Sequence, residues 1–360
     1  MNTFGTLFRV ATWGESHGSA VGCVVDGCPS NLALALVDVQ AELDRRRPGQ
    51  SSVTTPRAER DRVEILSGVF EGKTIGTPIS MIVRNLDADS SKYAGFKDVV
   101  RPGQGDFSWR MKFGHVDWRG GGRSSARETV GRVAAGAVAK KLLARFRITS
   151  TAFSREIAGI RAEGGLTRDS IKLIDSTAVK TIDRARGRLM EKAILEAKNA
   201  GDSVGGIVEV VCSGVPAGLG EPVFGKLSSD LAAALMSIPG AKGVEIGAGF
   251  AIARMKGSQS NDQFTLKNGR VATKTNNCGG MLGGISNGMP IMARVAFKPT
   301  SSISKSQKTI NLKTKAGVEI RVEGRHDPCI VPRAVPVVEA MTNLVMADHG
   351  LISGLIPRRL

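Results

Sequence analysis

Apolar residues in this chain come in short runs bounded by glycine-rich turns, with longer stretches at helical spacing between them. Residues 4–12 read as a short strand and residues 21–25 as a second, which closes on Asp26, Gly27, Cys28 and Pro29. Leu36, Val39, Gln40 and Leu43 then share one helical stripe, and Pro48 and Gly49 stop it just after Arg45, Arg46 and Arg47. Residues 126–143 predict a helix whose narrow face, Val130, Val133, Ala134, Ala137 and Val138, suits close packing. Residues 146–150 look extended, residues 166–200 predict a solvated pair of helices, and residues 258–275 a polar loop, mobile or ordering on a ligand. A helix through Val337, Met341, Leu344 and Val345 closes the chain.

The strand, turn and helix design occurs twice. Residues 207–212 form an apolar strand, Ser213, Gly214, Val215 and Pro216 follow, and Leu227, Leu231 and Leu235 mark a helix, so that Gly214 and Pro216 match Gly27 and Pro29. The offset is far longer than a solenoid repeat. It predicts an internal duplication within one pseudo-symmetric α+β domain over 1–360, with halves at roughly 1–150 and 200–360.

Candidate chemistry concentrates at residues 119–128, where Gly120, Gly121 and Gly122 lead into Arg123, Ser124 and Ser125. Ser125 and Glu128 have capping-box spacing, which predicts a helix that Ser125 caps and Ala126 begins. The glycines let backbone approach a ligand and deliver it to a helix N-terminus that favours anions, where Arg123 and Arg127 add formal charge.

Composition narrows the ligand. Fifty Lys and Arg against 33 Asp and Glu give a net charge of +17, which calls for anionic partners: nucleic acid, an acidic membrane surface or a phosphorylated small molecule. Aromatics make up only 4% with one tyrosine, too few for base-stacking platforms, and no zinc-finger, coiled-coil or RNP-like pattern occurs. Residues 1–10 lack an apolar signal region and no run of about 18 apolar residues exists, so a soluble cytoplasmic protein is expected. Five cysteines without a C-x-x-C pair indicate neither a disulfide framework nor a thiolate metal site.

Gly14, Glu15, Ser16, His17 and Gly18 formally match the nucleophile elbow of serine hydrolases, yet only 13 residues precede the motif, too few to build the upstream oxyanion strand. A lone histidine is commonly a packing residue, but flanking glycines expose His17. Lys298, Pro299, Thr300, Ser301 and Ser302 combine a cation with three hydroxyls, suited to phosphate, while P-loop and dinucleotide-binding glycine spacings are both missing.

Residues 14–18, 45–49, 101–106, 119–128, 243–246, 283–288, 298–302 and 325–329, in that order, resemble the signature blocks of the chorismate synthase family. The resemblance implies a β-α-β sandwich and a lyase that converts 5-enolpyruvylshikimate 3-phosphate to chorismate and phosphate by 1,4-elimination. It further implies reduced FMN as cofactor without net redox change, a place in the shikimate pathway of aromatic amino acid biosynthesis, and a homotetramer. The family pattern makes His17 an acid toward substrate or flavin, Ser16 its hydrogen-bonding helper, and Asp327 the acidic residue that helps the flavin take the substrate's hydrogen. It assigns the substrate to Arg46, Arg127 and Arg333. It assigns the flavin to Arg123, Ser124, Ser125, Pro239, Gly240, Gly283, Lys298, Pro299, Thr300, Ser301, Ser302 and Arg325. Substrate and flavin together carry about six negative charges, and burying them demands a guanidinium-rich cavity.

Two positions depart from the family pattern. Gln104, between Gly103 and Gly105, stands where the family has a histidine; an amide can donate a hydrogen bond but cannot shuttle a proton, so weakened chemistry is expected, and His115 is the imidazole nearest in sequence to substitute. Ser52 stands where some members carry an arginine thought to serve a nucleotide reductant, which puts an NADP role in question. Two other readings compete: a relative that binds these ligands without turnover, and a basic nucleic-acid-binding protein whose affinity falls steeply with salt.

Overall fold

The computed structural model describes residues 1–49, 53, 60–86, 91–322 and 326–360. Its β-branched runs build two antiparallel sheets of five strands each. Numbering only their strands, the first sheet holds Thr3–Phe4 (β1), Arg9–Gly14 (β2), Ala20–Asp26 (β3), Val63–Ile65 (β4) and Ile79–Arg84 (β5), ordered β1-β2-β3-β5-β4. The second holds Thr149–Ile157 (β6), Ile160–Arg161 (β7), Gly206–Ser213 (β8), Ala241–Ile246 (β9) and Ile291–Phe297 (β10), ordered β9-β10-β8-β6-β7. Helices Leu36–Arg46 (α1), Thr129–Ala144 (α2), Leu227–Met236 (α3) and Val331–Ile352 (α4) pack against these sheets and each other: α2 on β3, α4 on β6 and β8, and α2 on α4.

The chain therefore runs β2-β3-α1-β4-β5-α2 and then β6-β8-α3-β9-β10-α4, and the strand neighbours β2-β3-β5-β4 recur as β6-β8-β10-β9. The fold is α+β with an internal pseudo-repeat. Gly27 (φ +87°) and Gly214 (φ +80°) occupy matching bends, where a Cβ would stand 1.8 Å from the Leu7 carbonyl oxygen and 2.0 Å from that of Arg147. Both positions need glycine for the same two reasons, a left-handed φ and a backbone crossing at contact distance.

Three expectations about elements change. Residues 4–12 are not one strand: the backbone turns at Gly5 (φ +90°), and β1 folds back to pair with β2. Helix α2 is buried on most of its circumference rather than on a narrow face, because it lies between β3 and α4, and a Cβ on Gly136 would meet the Ala340 Cβ at 2.4 Å. The polar stretch 258–275 contains the hairpin Phe264–Lys267 and Arg270–Thr273, turned by Asn268 and Gly269 with positive φ at both. That Asn-Gly pair is a strong hairpin signal that the stretch's polarity masked.

All residues of α4 except Arg333 and Ile352 are buried, as an apolar helix sealed between layers must be. Two of its carboxylates tie other elements to it. Glu339 meets Arg45 at 3.0 Å and Lys140 at 2.7 Å. Asp348 accepts the backbone N–H groups of Thr6, Leu7 and Phe8 at 2.8, 2.7 and 2.8 Å. All five cysteines are free, and burial pushes the thiols of Cys23, Cys28 and Cys329 up to about 12, so these behave as small core residues rather than nucleophiles. Among the described residues no helix is long and apolar enough to cross a membrane.

Asp348 ties the start of β2 to the core helix, so Asp348→Ala strands three backbone donors. A loss of about 3 kcal/mol is expected. Urea unfolding followed by circular dichroism measures it, with Asp348→Asn retaining part of the stability.

Candidate active site

The glycine loop ahead of α2 is shaped by left-handed backbone angles that favour glycine. Gly120, Gly121 and Gly122 take φ of +58°, +86° and +52°, and the bend brings the Gly122 carbonyl to accept the Ser16 N–H at 3.2 Å. A Cβ on Gly120 would stand 2.1 Å from His17 Cε1, so glycine there admits the imidazole. Ser16 Oγ lies 2.9 Å from His17 Nδ1 and donates to the Gly120 carbonyl at 3.3 Å. With the hydroxyl proton so placed, Nδ1–H donates to Ser16, which leaves Nε2 as the ring's other edge for proton exchange. Tyr93, the chain's one tyrosine, packs edge-on against His17 with centroids 5.1 Å apart. Ser16 sits in the turn joining the antiparallel strands β2 and β3, not at a strand-to-helix elbow, and the hydrolase reading ends there.

Ser125 does cap, though not as a reciprocal box. It accepts the Arg127 N–H at 3.3 Å and starts a 3-10 turn, Ala126–Glu128, with α2 beginning only at Thr129. The Ser125 N–H already donates to the Gly122 carbonyl at 3.4 Å, so the Glu128 carboxylate turns forward to Arg132 at 2.9 Å.

Beneath this loop lies a charged floor that sequence patterning missed. Asp61 takes Arg46 Nη1 on one oxygen at 2.8 Å and Arg127 Nη1 on the other, with side-chain exposures of 0% for Asp61, 2% for Arg46 and 5% for Arg127. Arg46 also donates through Nε to Thr129 Oγ1 at 3.2 Å, and Arg127 through Nε to Asn85 Oδ1 at 2.9 Å. Burial opposes ionisation of Asp61, but Arg46 and Arg127 outweigh it and hold the carboxyl below its ordinary value. Burial, with Arg333 beside it, pulls the Arg46 guanidinium down to about 9 against the attraction of Asp61, which leaves it cationic at neutral pH. Arg333, in the first turn of α4, pairs with Asp327 and donates to the Arg46 carbonyl at 3.4 Å.

These groups open into one cavity of about 540 Å³, within the roughly 300–1,000 Å³ of small-molecule sites. Its lining brings together Ser16, His17, Arg46, Ser124, Ser125, Arg127, Pro239, Gly240, Asp327 and Arg333, with Lys298, Pro299, Thr300, Ser301 and Ser302 along one wall. Lys298 Nζ donates to Ser301 Oγ at 2.7 Å, and Gln104 Nε2 donates to Ser302 Oγ at 3.0 Å. Burial, and then Lys242, lower the Lys298 ammonium.

Not every expected residue is there. Arg123 points to the other side of the glycine loop, into a neighbouring cavity of about 1200 Å³, where it bonds Thr12 and, at 3.3 Å, Asn2. Gly283 occupies the turn between Met281–Leu282 and Ile285–Ser286 and lines neither cavity. His115 is exposed and lines the larger cavity, so it does not replace the missing histidine at Gln104. Arg325 and Ser52 lie outside the described residues. Sequence reasoning in turn missed Asp61, Tyr93, Arg101, Lys242 and His326. Arg101 and His326 fell inside the signature blocks 101–106 and 325–329, whereas Asp61 lies in a run of alternating charge that reads as solvated.

Among the described residues six cations, Arg46, Arg101, Arg127, Lys242, Lys298 and Arg333, line the cavity, and three carboxylates, Asp61, Asp106 and Asp327, pair with members of that set. A positive surplus beside a serine-held imidazole defines an enzyme cavity for a small polyanion. The chorismate synthase family model matches residues 8–351. Chorismate synthases of Archaeoglobus fulgidus and Methanosarcina mazei are 57% and 56% identical over 360 residues, covering 100% of this chain and 100% and 99% of theirs. A crystal structure of chorismate synthase superposes with a TM-score of 0.77 at 33% identity, over 97% of this chain and 93% of that one. The chain belongs to the chorismate synthase family, and it is a lyase.

Asp61→Asn leaves two buried guanidinium groups without their counter-ion, and a cost of about 3–5 kcal/mol is expected. Because the folded-state value of Asp61 is depressed, its contribution is complete above the unfolded value of about 3.9 and is lost as pH falls through the folded value. Urea midpoints of the two proteins should therefore differ most near neutrality and converge in acid.

Proposed function

We propose that this cavity converts 5-enolpyruvylshikimate 3-phosphate to chorismate and phosphate by 1,4-elimination, with reduced FMN as cofactor and no net redox change. The observation that supports it most is the surplus of cations around Arg46, Arg127 and Arg333 beside His17. The substrate brings two carboxylates and a phosphate, and fixed guanidinium groups orient such a molecule in bidentate fashion without reorganising solvent.

The rest of the lining suits a flavin. Ser124, Ser125, Pro239, Gly240 and the stretch from Lys298 to Ser302 would hold FMN, and Thr300 Oγ1 is buried without a hydrogen-bond partner in the structure. A Cβ added at Gly121 would approach only Ser124 Oγ at 3.4 Å and Arg101 at 3.6 Å, so the backbone there is open to a flat ligand. Reduced FMN, when bound, supplies transient electron density to the ring that loses phosphate. His17, its Nδ1 committed to Ser16, holds or delivers a proton at Nε2. Asp327, paired with Arg333, is the carboxylate beside the reacting molecules and shares its arginine with the substrate. In the same reading 1–360 works as one domain, in a cytoplasmic homotetramer, without nucleic acid.

An anaerobic assay with chemically reduced FMN should yield chorismate from the purified protein, and His17→Asn should lower kcat by about 10²–10⁴-fold with KM little changed. Substrate binding without any chorismate would leave a ligand-binding relative. Salt-sensitive retention of DNA or RNA, unaffected by substrate, would favour the nucleic-acid reading.

A further inference from the structure

Three neighbours hold the imidazole of His17. Ser16 Oγ meets Nδ1 at 2.9 Å, and the Gly120 backbone abuts the ring where a Cβ would stand 2.2 Å from the same nitrogen. The third is Tyr93, half-buried in the 3-10 segment Ser91–Phe96, whose ring packs against the imidazole with centroids 5.1 Å apart and planes inclined at 70°. A hydrogen bond fixes one ring atom but not the tilt of the ring about it, because the last torsion of a histidine side chain is soft. An edge-to-face contact at this distance restrains the tilt. Together the two contacts set where Nε2 points.

Tyr93 is in turn braced by a fixed cation. The guanidinium carbon of buried Arg101 lies 5.8 Å from the Tyr93 ring centroid and 5.8 Å from that of Phe96, within cation–π range. Asp106 holds that guanidinium through Nε and Nη2, both at 2.8 Å, and accepts the Arg101 backbone N–H at 3.1 Å. Asp106, Arg101, Tyr93, His17 and Ser16 thus form one continuous run of contacts, and the last four line the cavity.

We propose that Tyr93 is a positioning residue for the reaction: its ring, braced by Arg101, keeps the imidazole of His17 in the one orientation from which Nε2 exchanges its proton. The assignment rests on the proposed function, in which His17 handles a proton at that nitrogen. Such a transfer needs heavy atoms within about 2.6–3.2 Å, and a misplacement of about 1 Å costs about 100-fold. The effect of Tyr93 therefore belongs in kcat rather than in KM.

The full-length protein is assayed anaerobically with excess reduced FMN. Tyr93→Leu, which keeps an apolar side chain but no aromatic ring, should lower kcat by about 10–100-fold with KM within about twofold, and Tyr93→Phe should retain most of kcat. In a His17→Asn background Tyr93→Leu should cost less than about twofold more, since a residue that acts through His17 then has nothing to position. Independently of turnover, 3-fluorotyrosine built into the unmodified sequence gives a single ¹⁹F resonance, because Tyr93 is the chain's one tyrosine, and that resonance should move in His17→Asn. This measurement needs no substitution at position 93, so it decides the contact even where Tyr93→Leu folds poorly. Unchanged kcat in Tyr93→Leu, equal losses in the Leu and Phe variants, additive losses in the double variant, or a ¹⁹F resonance indifferent to His17→Asn overturns the assignment. Absence of chorismate from the unmodified protein sinks the functional reading instead, whereas full turnover by Tyr93→Leu sinks only this one.

Discussion

One buried carboxylate between two guanidinium groups organises the site. Without Asp61, Arg46 and Arg127 would face each other and Arg333 across a low-dielectric floor, and their mutual repulsion would drive the elements that carry them apart. With it, the C-terminal end of α1, the 3-10 turn entering α2 and the N-terminal turn of α4 meet at one point. The triad keeps a net positive charge, so the contact that joins these elements also turns a cationic surface toward the cavity.

Above that floor the cations and the imidazole are held by different means. Arg46, Arg101, Arg127 and Arg333 are each fixed by a carboxylate, whereas the imidazole of His17 is positioned by backbone: three left-handed glycines and a serine in a hairpin turn. Glycine at position 120 is a steric requirement of the histidine as much as a conformational one. The Lys298 wall is knit to the 103–104 segment through Ser301 and Ser302, so Gln104, unable to carry a proton, acts as a strut between two loops.

The pseudo-repeat explains why this geometry arises at all. Each half supplies a sheet and a long helix, and stacking the two halves buries α2 and α4 against one another, with Gly136 allowing the close crossing at Ala340. The loops leading into α2 and α4, one from each half, then open on the same cavity and carry Ser125, Arg127 and Asp327, with Arg333 following in the first turn of α4.

Local chemistry was enough to reveal the duplicated Gly-x-Pro bend, the apolar helices, the glycine loop with its cap and the residues whose identity matches the family blocks, because each depends on neighbours in sequence. The side on which a residue falls depends on the third dimension. The left-handed glycine loop leaves Arg123 in the larger cavity while Ser124 reaches both, a hairpin keeps Gly283 out of either lining, and folding brings Asp61 from a charge-rich stretch under two arginines distant in sequence. His326 was visible as a letter within a motif, but its unpartnered nitrogen exists only in the packed structure. Composition and spacing determine which groups a chain can offer; burial and pairing, which sum over distant contacts, decide which of them remain available to a ligand.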